Sequence, residues 1–288
     1  MPPPEMGLSI GDPSAVAPPI ETAQRPASRR LRRRALAALA PTGVVVAALV
    51  VWQVLGSVPS LRATVPSFTT VLRWFAQTVG TSVFWATTGD TMLQWALGLL
   101  LGCAAGIVLG LVMGLSRTAH QLLDVIVEFL RPIPAVVYLP LLILLYGNTD
   151  TMAVVSVGSG VVWILLFQTF YGVRDLSPLL LDTGRVFGLS RRQRLVRLVL
   201  PSISPYMATG VRIASSTAFL IAVSVELIGG APGLGFALGN AESNGLYPAM
   251  YGFAAVCGVI AVVVNSGIVQ VERAGLAWHH AQHAGEAR

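Results

Sequence analysis

Long apolar stretches of one size alternate with short polar ones along this chain. The apolar stretches run at about 35–56, 92–115, 123–146, 151–172, 206–228 and 247–271. Each is near the roughly 20 helical residues that cross a hydrocarbon layer of about 30 Å. The pattern predicts an all-α polytopic membrane protein with six transmembrane helices. Composition points the same way. Of 288 residues, 54% are hydrophobic and only 11% charged, where soluble domains carry about 25% charged residues. The mean hydropathy is +0.71.

The polar stretches divide the rest. Residues 1–34 are rich in proline and lack an apolar period, which predicts a disordered, basic cytoplasmic tail. The tail ends in Arg29, Arg30, Arg32, Arg33 and Arg34, just before the first apolar run. That run is longer than a signal-peptide core and is followed by no A-x-A-like site, so it reads as a retained span with its N-terminus inside. Residues 57–90 form a first outside loop. Within it Phe68, Val71, Leu72 and Phe75 keep helical spacing, predicting a short amphipathic helix along the membrane surface. Residues 147–150 form a tight outside turn, and the glycine-rich 229–235 forms the next outside segment. That segment lacks the preceding strand of a dinucleotide fingerprint. The membrane domain thus spans 35–275, with a loop at 174–205 and a cytoplasmic tail at 276–288. His279 and His283 in the tail are spaced i, i+4, but no carboxylate or cysteine completes a set, so no metal site is expected.

Inside the spans, breaks in the apolar pattern carry the information. Gly98, Gly102, Gly106, Gly110 and Gly114 make a small-residue stripe on the second span, a surface for close helix packing. The third span is interrupted at Arg131-Pro132-Ile133-Pro134. Proline frees backbone carbonyls that lipid cannot satisfy, so Pro132 and Pro134 are candidates for lining a pathway. Asp124, Glu128 and Arg131 have the spacing of a structural ion-pair cluster. Glu226, at the far end of the fifth span, is a further pathway candidate.

Every basic residue is arginine. A chain without lysine has no P-loop and no Schiff-base lysine. Any ATPase, with its ATP and Mg, would therefore be another chain, and with no His-Glu-x-x-His motif or nucleophile elbow no enzyme activity or cofactor is expected of this one. In the six-span arrangement only Arg62 and Arg73 fall outside, Arg131 and Arg212 lie within spans, and the other arginines fall inside. This asymmetry places both termini in the cytoplasm. The net charge of +6 then reads as orientation in a plasma membrane, with no nucleic-acid partner expected. Cys103 and Cys257 lie in separate spans and are expected to stay free.

One charged run stands apart, Leu181 to Pro201. It predicts two short helices broken at Gly188 and closed by Pro201. Arg191, Arg194 and Arg197 share one face of the second helix, with Leu195, Leu198 and Val199 on another. The run resembles the cytoplasmic loop of permease subunits of binding-protein-dependent ABC importers. That loop reads Glu-Ala-Ala, three residues, Gly, nine residues, Ile-x-Leu-Pro. Asp182, Thr183 and Gly184 stand where Glu-Ala-Ala would be, and Gly188, Leu198, Leu200 and Pro201 keep the spacing. The opening triplet departs from the pattern. Gly233-Leu234-Gly235-Phe236 is similar to a motif of the nitrate, sulfonate and taurine importer permeases.

The resemblance implies a type I importer permease bundle. It also implies an external substrate-binding protein, two cytoplasmic ABC ATPase subunits, and a second permease copy forming a homodimer. Asp182, Thr183, Gly184, Gly188, Arg191, Arg194, Leu198, Leu200 and Pro201 would carry coupling to the ATPase. The cargo would be a small sulfonate-, taurine- or nitrate-like nutrient. An ion-gradient-driven secondary transporter is the alternative. It would need ionisable residues near the midplane and an internal repeat, neither of which the chain displays.

Overall fold

The computed structural model of the protein describes residues 43–61 and 63–275. The expectations for the N-terminal tail, the start of the first span and the histidines of the C-terminal tail lie outside these residues. The chain falls into two compact units, residues 1–52 and 53–288. The apolar helix α1, Gly43–Leu55, begins in the first unit.

The second unit is helical throughout its regular elements: α2 Phe68–Thr78, α3 Ser82–Leu115, α4 Arg117–Leu130, α5 Leu139–Tyr146, α6 Asp150–Arg174 and α7 Pro178–Val186. A 39-residue helix α8, Arg191–Gly229, follows. The last two are α9 Leu234–Ser243 and α10 Tyr247–Gly275. Among the described residues, four helices (α3, α6, α8 and α10) are long and apolar enough to cross a membrane. A fifth crossing results if α4 and the Ala135–Tyr146 segment count as one span bent by 82°. The fold class is as the sequence predicts and the third span is broken where its prolines fall, but the count of six is not exact: four or five crossings stand among the described residues, and the start of the first span lies outside them.

Helix α3 starts at Ser82, ten residues ahead of the apolar run. The Thr81 hydroxyl caps it by accepting from the Phe84 N–H at 3.3 Å. The last part of the expected outside loop is therefore helix, hidden from hydropathy by its polar residues. α2 forms where its spacing predicts and packs on α10, with Trp74 edge-on to Phe253 at a centroid distance of 4.9 Å.

The core is a three-helix contact of α3, α6 and α8. The glycine stripe of α3 is the groove of that contact, and one row of α6 is the ridge. A Cβ placed at Gly98, Gly102, Gly106, Gly110 or Gly114 would lie 2.5–2.7 Å from the Cβ of Val157, Val161, Leu165, Thr169 or Val173 respectively. Both rows repeat every four residues, so ridge and groove run in register over four turns. Ala214, Ala218 and Ala222 bring α8 against the same cluster.

Pro201 does not close the second loop helix. The chain runs helically through Pro201 and Pro205 into the fifth span, so loop and span are one element. A π-helical turn at Leu195–Val199 precedes Pro201 and shifts the hydrogen-bond ladder, and Pro201 then sits in the first turn of the next α segment. A proline there sacrifices no helical N–H bond. The hydroxyl of Ser204 donates to the Pro201 carbonyl at 2.8 Å, serving an acceptor that Pro205 cannot.

Candidate functional site

Three places bear on function: the α7–α8 corner, a groove at the break of the third span, and a buried network at the far end of α8. The corner is built locally. Proline at the first position starts α7. Its C-terminus closes in a Schellman turn: Gly188 donates to the Arg185 carbonyl and Leu189 to the Gly184 carbonyl, each at 3.0 Å. Gly188 carries the left-handed φ of +69° which that turn requires. Two residues on, Ser190 and Gln193 form a capping box that starts α8.

The residues expected to couple divide here into two groups. Gly184, Leu198 and Leu200 pack the corner together, and Pro201, exposed, lies in the first turn of the α segment that follows. Gly184 is buried, and a Cβ on it would come 2.7 Å from Leu198 Cδ1. Leu200 joins the cluster of Val173, Val199 and Ile203 beneath. Arg194 is half-buried against Gly184. Asp182, Thr183 and Arg191 are exposed, with Asp182 ion-paired to Arg185 one turn on. Val186 and Phe187, not singled out from the sequence, form the exposed tip at 86% and 78% of their full accessibility. Two adjacent apolar residues inside an arginine-rich run were the available signal.

The groove has a volume of about 600 Å³ and lies between the bent third span, α6 and α8. Arg131, Pro134, Trp163, Phe167, Gln168, Thr217 and Ser224 stand in its wall, and Pro132 and Glu226 do not. The expected Asp124, Glu128 and Arg131 cluster does not form. Asp124 faces His120 at 3.9 Å, while the Arg131 guanidinium lies 4.3 Å from the centroid of the Phe167 ring. An exposed i, i+3 pair contributes about 0.2–0.5 kcal/mol. A cation over an aromatic face contributes about 0.5–1 kcal/mol or more, so the ring prevails.

Glu226 is fully buried. The Thr91 hydroxyl donates to its Oε2 at 3.1 Å and the Gly235 N–H at 2.8 Å, while the Leu234 N–H donates to Thr91 Oγ1 at 2.9 Å. Beside it Gln94 Nε2 donates to Asp150 Oδ1 at 2.8 Å and to the Pro232 carbonyl at 2.6 Å. Asn148 Nδ2 donates to the last carbonyl of α8, Gly229, at 2.7 Å. At Gly233, where φ is +147°, a side chain would run into the Glu226 carboxylate. The Gly-Leu-Gly motif is thus the cradle of a buried carboxylate and the start of α9. The glycine-rich composition of 229–235 had suggested only an irregular segment.

The comparisons with known proteins follow this geometry. A family model described as "Binding-protein-dependent transport system inner membrane component" matches residues 102–271. The taurine transport system permease protein TauC of Escherichia coli is 27% identical over 69% of this chain and 72% of its own length. The nitrate import permease protein NrtB of Leptolyngbya laminosa is 28% identical over 57% of this chain and 58% of its own. Among solved structures, a bacterial ABC transporter involved in import of the acidic polysaccharide alginate matches with a TM-score of 0.63 and 16% identity. That match covers 86% of this chain and 98% of that one, and it carries the fold alone.

Proposed function

The chain belongs to the binding-protein-dependent transport system inner membrane component family, and from that premise we propose that it is the membrane-spanning subunit of an ATP-driven importer. Its cargo is a small nutrient of the sulfonate, taurine or nitrate kind, delivered by an external binding protein. Two copies of the chain form the pathway, and two cytoplasmic ATPase subunits bind ATP and Mg. Both termini lie in the cytoplasm. The observation that carries the reading is the α7–α8 corner. A Schellman turn and a capping box fix its angle, its tip presents Val186 and Phe187, and exposed arginines flank it.

In this reading Asp182, Thr183, Arg191, Val186 and Phe187 contact the ATPase. Gly184, Gly188, Arg194, Leu198 and Leu200 hold the corner in shape, and Pro201 lies in the first turn of the α segment that follows. ATP-driven closure of the ATPase pair moves the corner, and α8 carries the movement along the groove, whose wall includes Pro134. The test is co-purification of the tagged chain with a candidate ABC ATPase, followed by hydrolysis in lipid vesicles. Hydrolysis that rises when loaded binding protein is added supports the reading. A chain that captures no ATPase, and whose 181–201 stretch can be scrambled without loss of uptake, removes its foundation.

A further inference from the structure

The groove wall holds one charged side chain, Arg131. The ion pairs among the described residues are His120–Asp124, Asp182–Arg185 and Arg212–Glu272, and none of them includes it. Glu128 sits one helical turn away without pairing. The Phe167 ring holds the guanidinium in position but leaves its charge uncompensated, because a ring quadrupole attracts a cation without neutralising it. Arginine offers a planar fork of donors matched to an oxyanion. Arg131 is exposed at the break between α4 and the Ala135–Tyr146 segment, so its guanidinium stands open to a ligand in the groove. Beside it in the wall the Gln168 amide is a donor that adds no charge, whereas the Thr217 and Ser224 hydroxyls already donate to the Ile213 and Leu220 carbonyls of their own helix. Trp163 supplies an apolar flank.

We propose that Arg131 is the anion-recognising residue of the groove, and that the groove itself selects small monoanions with a compact oxyanion head over cations. This rests on the reading of the groove as part of an import pathway, and it places charge selection in the membrane subunit as well as in the binding protein.

The test uses the full chain in nanodiscs of neutral phosphatidylcholine, with tryptophan fluorescence as the readout. Iodide, caesium and acrylamide serve as anionic, cationic and neutral quenchers, and Trp163→Phe defines the share of the signal that comes from Trp163. Iodide is expected to quench that share more strongly than caesium, and millimolar ethanesulfonate to compete with it. Arg131→Gln should weaken iodide quenching by about tenfold, the scale of a lost charge-assisted hydrogen bond, and leave acrylamide quenching unchanged. Arg131→Lys should retain the anion preference. Iodide quenching that is the same in Arg131→Gln as in the wild type overturns the proposal. So does iodide that fails to exceed caesium in the wild type, the result expected if a carboxylate of a second copy covers Arg131. The assay needs no ATPase. Failure of the importer reading in co-purification is therefore distinct from failure of the anion site here.

Discussion

Two glycines act by opposite means at the residue scale. Gly188 has nothing within 4 Å of where a side chain would begin, so its demand is purely conformational. Gly188→Ala should cost about 1 kcal/mol through the left-handed backbone alone. Thermal unfolding in detergent would read this as a small shift. A valine there should cost more and loosen the corner, lowering uptake relative to ATP hydrolysis. Gly233 combines a backbone region almost confined to glycine with a side-chain direction blocked by the Glu226 carboxylate. Gly233→Ala should destabilise by about 1–3 kcal/mol. Its steric part should vanish in the Glu226→Ala background, where the carboxylate is gone. A double-mutant cycle on melting temperature checks this: strong non-additivity is expected, and strict additivity would show that the two positions do not meet.

At the scale of elements, what was legible and what was not follows from periodicity. The apolar runs located α6 and α10 within a few residues, and the glycine stripe of α3 announced a close packing. Its partner row, Val157 to Val173, was not legible, because an i, i+4 row of ordinary β-branched and leucine residues looks like any other face of an apolar helix. The continuity of α8 was hidden by Pro201, whose effect on a helix depends on the π turn before it. The cradle of Glu226 was hidden because composition records glycines but not which hydrogen bonds their N–H groups make. The ridge and groove yield a paired prediction. Gly106→Val puts a side chain onto the Val162 carbonyl and Leu165 Cβ and should cost about 1–3 kcal/mol or more by overpacking. Gly258→Ala, on α10 with nothing within 4 Å, should stabilise by about 0.5–1 kcal/mol through helix propensity. Unfolding midpoints of the two variants in one detergent should move in opposite directions, and a shift of the same sign in both would remove α3–α6 packing as the cause.

Across the whole molecule, α8 links the three places described above. It begins at the corner, walls the groove from Ile213 to Ser224, and ends in the Glu226 network. At 1.5 Å per residue its 39 residues span about 58 Å. A force applied at the tip therefore reaches the groove through a continuous helical rod. That mechanism requires the tip to be gripped, and Val186 and Phe187 are the side chains offered. Both are exposed in the chain, so changing them to aspartate should leave its melting temperature unchanged within about 0.5 kcal/mol of stability. If they are buried in a groove of the ATPase, each loses about 1.5–3 kcal/mol of apolar burial. The doubly substituted Val186→Asp, Phe187→Asp chain should then bind its ATPase at least about a hundredfold more weakly. Surface plasmon resonance on nanodisc-embedded chain would measure this. Unchanged affinity in a chain of unchanged stability would mean that the ATPase grips the arginine face of α8 and not the tip.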